Sequence, residues 1–231
     1  MTIRMYDLRG ARHELRFSPY CWRAKMALKH KGVDFETVPW TYTDKAILAP
    51  TGQGRVPVIV DGDRWVNDSW QIALYLDERY PDRPMLMKDE AARAHARFIA
   101  QWADTNVLPA LRPILFMDVH NQIEDTQRAY FRKAREEMIG MTLEAFCADR
   151  AGARARLAQA LQPAELTLAE HAFLGGGAPS YADHALFGSL AWGHYVSAEP
   201  IHDPNTAVGQ WFERMLDLFD GYARKAPTAR D

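Results

Sequence analysis

A short strand that leads into a capped helix opens the chain and points to an α/β fold for its first part. Residues Ile3–Leu8 form an apolar run, and after a polar loop Ser18 and Pro19 stand where an N-cap and a first helical residue belong. The helical pattern then runs to Lys31 and is stopped by Gly32. A hydroxyl at such a place lies beside unpaired backbone N–H groups at the positive end of a helix, which stabilises an anion such as a thiolate. We therefore expect the fold to bring a thiol to Ser18.

The composition is that of an ordinary globular protein. With 231 residues, 48% of them hydrophobic and 25% charged, the chain can bury one large core or two modest ones. The net charge of −2 gives no electrostatic argument for nucleic acid or an anionic membrane. No apolar run is long enough to cross a bilayer, and Met1–Asp7 is a charged strand rather than a signal peptide. Two cysteines make no disulfide framework, so we expect a cytoplasmic location.

The remaining signals of the first eighty residues predict the order βαβ followed by ββα. Arg55–Val60 is rich in β-branched residues and carries Pro57 at its start, which is one of the few places where a strand tolerates proline. The predicted elements after the first helix are a strand at Phe35–Pro39, an irregular and partly helical segment at Trp40–Thr51, strands at Arg55–Val60 and Arg64–Val66, and a helix capped by Asp68 and Ser69 that ends at Tyr80.

The chain changes character after Tyr80–Pro84, where two prolines break the pattern. We therefore predict two domains, 1–82 and 88–231, the second of them entirely helical. Pro109 and Pro113 are expected to kink or end its first helix, and Ser180 and Asp183 to form a structural capping box. The other helices are predicted at Asp89–Asp104, with Ala91, Ala94, Phe98, Trp102 and Thr105 on its inner face, and at Asp125–Ala148, Arg150–His171 and Thr206–Ala223. Pro163 is expected to break or kink the helix at Arg150–His171.

Three motifs in the first half carry a resemblance to a known family. In order along the chain they are Ser18-Pro19-Tyr20-Cys21, Val56-Pro57 and Asp68-Ser69. This half resembles the thioredoxin-fold domain of glutathione transferases, in which a helical domain follows. Within that family the motifs, together with Tyr75–Leu86, are most similar to the bacterial β-aryl etherases and the related fungal serine-type transferases. One such motif alone is a weak signal, whereas three in this order are specific.

The resemblance implies a role for each motif. Ser18 would donate a hydrogen bond to the glutathione sulfur and hold it as a thiolate. Pro57 would be cis, turning the backbone of Val56 outward to pair with the glutathione peptide like an added strand. Asp68 and Ser69 would hold the γ-glutamyl end, with its carboxylate on the helix N-terminus and its ammonium near Asp68. The implied co-substrate is glutathione, and no metal is expected because His and Cys form no metal-ligand spacing.

For the glycine carboxylate of glutathione and for the second substrate, the resemblance implies several candidate residues each. The glycine carboxylate of glutathione would meet Lys45, Gln53 or Arg55, and each of these can equally be a solvated surface residue. A second substrate, aromatic or otherwise apolar, would lie between the domains against the first helical hairpin of the second half. The residues expected to line that pocket, any one of which can instead be core, are Phe98, Trp102, Phe116, Met117 and His120. The resemblance also implies a homodimer.

Three functions stay open at this point. The first is a transferase whose activated thiolate attacks an electrophile, with cleavage of a β-aryl ether as its sharper form. The second is a binding protein of the same fold that carries apolar ligands without turnover. The third is a thiol reductase that works through Cys21, although Ser18 stands where a reductase of this kind has its attacking cysteine. Cys21 can also be only a small buried residue.

Overall fold

A four-stranded mixed sheet forms the first half of the protein and helices form the second, in a computed structural model that describes residues 2–231. The strands are β1 (Ile3–Leu8), β2 (Phe35–Trp40), β3 (Val58–Asp61) and β4 (Arg64–Asn67). The helices are α1 (Pro19–His30), α2 (Ser69–Arg79), α3 (Glu90–Trp102), α4 (Leu108–Gln122), α5 (Asp125–Ile139), α6 (Leu143–Phe146), α7 (Arg150–Glu170), α8 (Tyr181–Val196) and α9 (Ala207–Gly221).

The sheet has the order β2-β1-β3-β4, with β1 parallel to β2 and antiparallel to β3, and β3 antiparallel to β4. The parallel pair needs a crossover, which α1 supplies. A 3₁₀ helix at Lys45–Thr51 lies in the segment that was predicted to be irregular and partly helical. This is the thioredoxin-like half that the sequence predicts, followed by the predicted helical half.

The two halves meet mainly where α1 packs on α8. The approach is close enough to require glycine at one point, because a Cβ at Gly188 would overlap the carbonyl oxygen of Pro19. Trp22, 1% exposed, stacks on Tyr195 with ring centroids 4.4 Å apart. These apolar contacts join the cores of the two halves into one cluster of buried side chains.

The helical half differs from the prediction in three places. Pro109 and Pro113 do not end the first helix: a π turn at Ala103–Val107 joins α3 to α4 and shifts the hydrogen-bond register just before Pro109, which has no N–H to donate. The single helix predicted at Asp125–Ala148 is broken, since Gly140 adopts a φ of 73° and separates α5 from α6. Pro163, in contrast, lies within an unbroken α7.

The predicted inner face of α3 is wrong at four of its five residues. Phe98 is 69% exposed, and Ala91, Ala94 and Thr105 are exposed as well, whereas Trp102 is half-buried against the core. The buried residues of α3 are Ala96 and Ala100. The capping box at the start of α8 is confirmed, with the backbone N–H of Ser180 donating to the Asp183 carboxylate at 2.9 Å.

Candidate functional site

The topology brings the three sequence motifs to one edge of the sheet. Tyr6 near the C-terminal end of β1 pairs with Val58 at the start of β3, and Val58 pairs with Asn67 at the end of β4. Pro57 and Asp68 are the next residues along the chain on this same edge. A bridge between Arg9 and Arg16 folds the loop after β1 back on itself, so α1 also starts from this edge. Three segments far apart in sequence therefore meet at one place.

Ser18 is the N-cap of α1, as predicted. Its Oγ accepts a hydrogen bond from the backbone N–H of Cys21 at 3.3 Å, and Pro19 follows as the first helical residue. The side chain is buried, and its hydroxyl hydrogen has no acceptor among residues 2–231. The first turn of α1 contains no acidic residue. The hydroxyl can therefore donate one hydrogen bond to an anion that also lies at the positive end of α1.

The position of Cys21 argues against thiol chemistry at that residue. The thiol is fully buried, and burial, followed by the nearby Asp7 carboxylate, raises its pKa well above the ordinary value. Ser18 and Lys25 act in the opposite direction, but they do not offset the loss of water. A neutral thiol that solvent does not reach is neither a nucleophile nor a metal ligand, which favours the interpretation of Cys21 as a packing residue.

The backbone before Pro57 is free to pair with a ligand. The Val56–Pro57 peptide is cis, as the family resemblance implied. Val56 precedes β3, and neither its N–H nor its carbonyl has a hydrogen-bond partner among the described residues. Val56 is only half-buried. An extended peptide can therefore add to this edge as a further strand would.

Asp68 caps α2 in an uncommon backbone conformation. Its carboxylate oxygen accepts the backbone N–H groups of Trp70 and Gln71, each at 3.0 Å, and its φ is 71°. Non-glycine residues at positive φ concentrate at functional sites. Asp68 is exposed, and Ser69 beside it is buried as the first residue of α2. The cap and a ligand role are compatible, because the second carboxylate oxygen makes no hydrogen bond within the described residues.

The three residues predicted to meet the glycine carboxylate of glutathione differ in how far their polar groups are already engaged within the protein. The Gln53 amide is committed to its own loop, since it donates to the Arg55 carbonyl at 2.9 Å and accepts the Arg55 N–H at 2.6 Å. The Arg55 side chain is exposed and forms no ion pair among residues 2–231. Lys45 holds its ammonium 4.8 Å from the centre of the Tyr130 ring, across the boundary between the two halves. Arg55 and Lys45 are therefore the groups able to meet an anion.

The residues predicted to line an aromatic pocket do not come together. Phe98 points to solvent from α3, whereas Phe116 is 2% exposed and packs among Phe131, Phe146 and Trp192 in the core of the second half. Aromatic spacing alone does not separate a core residue from a pocket residue, because both positions recur with the helical period.

The other three predicted pocket residues are half-buried. Trp102 lines a cleft of about 530 Å³ between the π turn and α7. Met117 packs at the edge of the core. The His120 ring lies 6.4 Å from that of Phe131, and its backbone carbonyl accepts the Arg128 Nε–H at 3.1 Å. These positions are compatible with a wall of a substrate cleft but do not meet at one point.

A polar group that the sequence analysis missed stands next to the start of α1. Arg23 is 2% exposed, pairs with Asp104 of the π turn at 2.8 Å, and donates to Ser189 of α8 at 2.9 Å. The Tyr20 ring lies 4.8 Å from the guanidinium carbon of Arg23. Burial and then Asp104 raise the pKa of Tyr20, while Arg23 and Arg112 oppose them.

Of these residues, only Arg23 could be singled out from the sequence. Arg23 follows Trp22 in the helix predicted to run to Lys31, and a buried arginine needs a partner, but nothing in the sequence identifies Asp104 as that partner. Asp104 lies in the π turn, and π turns are frequent at functional sites.

No cluster of three or more His, Cys, Asp and Glu side chains suited to a metal ion occurs within residues 2–231. Over the same residues, none of the helices combines the length and the apolar character needed to cross a bilayer.

Comparison with known proteins finds matches to one family over both halves of the chain. A family model described as the N-terminal domain of glutathione S-transferase matches residues 13–84, and one described as the C-terminal domain matches residues 94–222. Glutathione S-transferase Z1 of Arabidopsis thaliana is 35% identical over 45% of this chain and 47% of its own length, so the chain spans about half the length of this curated relative. A probable glutathione S-transferase of Oryza sativa subsp. japonica is 32% identical over 86% of this chain and 80% of its own.

Solved structures agree with these matches. A glutathione S-transferase of Ceriporiopsis subvermispora, solved in complex with glutathione, superimposes with a TM-score of 0.80 at 25% identity over 96% of this chain and 98% of its own. A glutathione transferase of Phanerochaete chrysosporium superimposes with a TM-score of 0.81 at 24% identity over 96% of this chain and 97% of its own, which shows the shared fold. The chain belongs to the glutathione S-transferase family.

Proposed function

We propose that this protein is a glutathione transferase in which the hydroxyl of Ser18 stabilises the glutathione thiolate. The observation that carries the proposal is the position of Ser18: its hydroxyl hydrogen is unpaired at the N-terminus of α1, on the sheet edge that also holds Val56 and Asp68. A free thiol has a pKa of about 8.5, and lowering it to about 6.5 requires ~2.7 kcal/mol. A helix end and one or two hydrogen bonds to a charged sulfur can supply that amount.

The other parts of glutathione can be assigned to groups near this edge of the sheet. The unpaired backbone of Val56, ahead of Pro57, would bind the central peptide. The γ-glutamyl carboxylate would lie on the N-terminus of α2 at Ser69, with its ammonium at Asp68. Arg55 or Lys45 would meet the glycine carboxylate, and Gln53 would hold the loop between them by its hydrogen bonds to Arg55. Support also comes from the similar fungal transferase that was solved with glutathione bound.

We place the second substrate between the two halves of the protein, above Ser18. Tyr20 stands two residues after Ser18 and is half-buried, and an aromatic ring so close to the proposed thiolate supports an aromatic electrophile. Trp102, Met117 and His120 remain candidates for the outer wall, whereas the exposure of Phe98 and the core position of Phe116 do not support a role for them. Cleavage of an aryl ether, with an aryloxide leaving, is the specific form of this reaction that the motifs favour.

The α3 surface supports a homodimer. Phe98 stands among exposed alanines on a face that lacks an apolar partner among residues 2–231. Phe98→Glu should convert a dimer into a monomer in sedimentation velocity, and an unchanged mass would contradict this assignment. The two free cysteines agree with the proposed cytoplasmic location.

An ultraviolet difference titration with glutathione tests the function. A saturable thiolate band that titrates well below the ordinary pKa of a free thiol is expected for the native protein and is expected to be lost in Ser18→Ala. Thr206→Ala is the matched control, because it removes another N-cap hydroxyl, which accepts the Gly209 N–H at 3.1 Å in α9. Binding without a thiolate band would favour a carrier of the same fold, and a band that survives in Ser18→Ala would exclude the proposed role of the serine.

A further inference from the structure

A fully buried tyrosine of the helical half reaches the N-terminal end of α2. Tyr181 is the first residue of α8 and is 0% exposed. Its backbone N–H donates to the Leu86 carbonyl at 3.1 Å. Its ring packs edge-on against that of Trp70, the second residue of α2, with ring centroids 5.6 Å apart. The side chain therefore crosses from the second half of the protein to the end of α2 at which Asp68 and Ser69 lie.

The hydroxyl of Tyr181 is buried without a hydrogen-bond partner of normal geometry among residues 2–231. Burial raises the pKa of Tyr181 to about 12, and Arg23, followed by the hydroxyl of Ser69, opposes that rise, so the phenol oxygen lies close to both. An unpaired polar group at such a depth is rare in proteins, because it loses its hydration and gains no partner in return. The requirements of the fold do not account for this hydroxyl.

The hydroxyl of Ser69 is also unpaired. Ser69 is 4% exposed, and its Oγ forms no hydrogen bond within the described chain. A hydroxyl group donates one hydrogen bond and can accept two. Ser69 can therefore accept the hydroxyl hydrogen of Tyr181 and still direct its own hydrogen towards a ligand.

The groups around Ser69 favour a carboxylate as that ligand. Ser69 is the first residue of α2, so its backbone N–H has no acceptor inside the helix. This N–H and the Ser69 hydroxyl are both donors at the positive end of a helix, and the two oxygens of a carboxylate can accept both of them. The α-carboxylate of a γ-glutamyl group fits this description, and its ammonium would find the free carboxylate oxygen of Asp68 beside it.

We propose that Tyr181 is a positioning residue of the γ-glutamyl subsite: when glutathione binds, the Tyr181 hydroxyl donates to Oγ of Ser69, and the Ser69 hydroxyl donates to the γ-glutamyl carboxylate. This inference rests on the proposed function, because it requires glutathione at this edge of the sheet. Hydrogen bonds in series polarise one another, so the buried tyrosine strengthens the bond that Ser69 makes to the ligand. The helical half then takes part in recognising glutathione as well as the second substrate.

Isothermal titration calorimetry with glutathione tests the role of Tyr181. Tyr181→Phe should weaken binding about fivefold, the effect expected for loss of one hydrogen bond, and Ser69→Ala should do the same. The variant with both substitutions should bind glutathione within about twofold of Ser69→Ala alone, because Tyr181 acts through Ser69. A tyrosine that serves packing only would not show this dependence on Ser69.

Tyr195→Phe is the matched control, since Tyr195 lies on the same helix and is also 0% exposed. Its hydroxyl has a partner, the Ala223 carbonyl, to which it donates at 2.7 Å. Tyr195→Phe should lower the midpoint of urea denaturation and leave the affinity for glutathione unchanged. Tyr181→Phe should show the opposite pattern: the midpoint of the ligand-free protein should not fall, because the hydroxyl that it removes has no partner there.

Native affinity for glutathione in Tyr181→Phe would overturn the proposal, and so would losses that multiply in the variant with both substitutions. A native protein that does not bind glutathione would overturn both this inference and the proposed function. Calorimetry measures binding and not thiolate formation. If Ser18 alone proved not to activate the sulfur, the comparison of Tyr181 with Ser69 would therefore still decide this inference.

Discussion

The two ends of α1 both meet the helical half of the protein, and they differ in how fully their polar groups are paired. At the N-terminal end the hydroxyl hydrogen of Ser18 has no acceptor within the described chain. The nearby backbone N–H and carbonyl of Val56 also have no hydrogen-bond partner there. At the C-terminal end the fully buried Lys31 ammonium lies 3.1 Å from Asp77. Nδ1 of His30 lies 2.9 Å from Nε2 of His184 in α8.

This difference separates the groups that are available to a ligand from those that maintain the fold. Unpaired donors next to solvent can bind glutathione without first breaking a contact, whereas removing one member of a buried pair leaves the other uncompensated. Substitutions at the C-terminal end should therefore act on stability, and substitutions at the N-terminal end on activity. The predictions below test this division.

The largest effect should come from Asp77→Ala. The Asp77 carboxylate accepts the Lys31 ammonium at 3.1 Å and the backbone N–H groups of Leu86 and Met87 at 3.0 Å each. Its removal leaves a buried charge and two donors unpaired, and should lower the free energy of unfolding by about 3–5 kcal/mol. Urea denaturation measures this loss.

An exposed ion pair provides the control for Asp77. Asp125 lies 2.9 Å from Arg128 on α5 and is 87% exposed in its side chain. Asp125→Ala should change the free energy of unfolding by less than about 0.5 kcal/mol. Equal losses of unfolding free energy in the two variants would mean that the buried pair at the C-terminal end of α1 stabilises the fold no more than an exposed pair does.

The next effect should come from Ser18→Ala, at the opposite end of α1. Turnover should fall about tenfold or more, because the hydroxyl stabilises charge on the sulfur, while the lost cap should cost about 1 kcal/mol of stability. Steady-state kinetics with a chlorinated nitrobenzene and urea denaturation of the same sample measure both quantities. Unchanged turnover would rule out Ser18 as the thiolate-stabilising group.

The histidine pair should make stability depend on pH. Burial lowers the pKa of His184 well below its ordinary value and lowers that of His30, where Asp77 opposes burial and Lys31 reinforces it. The folded protein therefore binds fewer protons than the unfolded chain once the pH falls below about 6.5. The free energy of unfolding should decrease there by about 1.4 kcal/mol per pH unit for each proton excluded.

His184→Gln should reduce that slope, and His171→Gln, at an exposed residue, should not. Thermal denaturation between pH 7.5 and 5 compares the variants. Some slope should remain, because burial lowers the pKa of His194 to about 4 and also lowers that of His202. An identical slope in the two variants would contradict the role given to the pair between α1 and α8.

The first half of the fold could be predicted from the sequence because its signals are local. A serine and a proline at a helix start, and an aspartate before the helix at residue 69, each act on their own backbone neighbours. The inner face of α3 could not be predicted in the same way. Apolar period alone favoured Phe98, but the close approach of α3 to its neighbours admits Ala96 and Ala100 instead.

The candidate site shows the same division. Ser18 and Asp68 were found from short motifs, and the sheet register places their segments at one edge. The pairing of Arg23 with Asp104 depends on a π turn 81 positions further along the chain, so no local pattern could indicate it. The prediction of one helix over Asp125–Ala148 failed for a different reason, since a glycine inside a helical pattern is often tolerated and only the observed φ of Gly140 shows that it ends the helix.

The smallest effect should come from Asp68→Asn. Asparagine can still accept the Trp70 and Gln71 N–H groups that Asp68 accepts at 3.0 Å, so the cap of α2 and the stability should be retained. What is lost is the negative charge proposed to meet the ammonium of glutathione, and one exposed ion pair contributes about 1 kcal/mol or less. KM for glutathione should therefore rise by up to about fivefold, with kcat nearly unchanged, because the ammonium keeps its charge throughout the reaction. A fall in kcat with constant KM would mean that Asp68 acts on the thiolate rather than on the γ-glutamyl end, and the separation of binding and activation at this edge would fail.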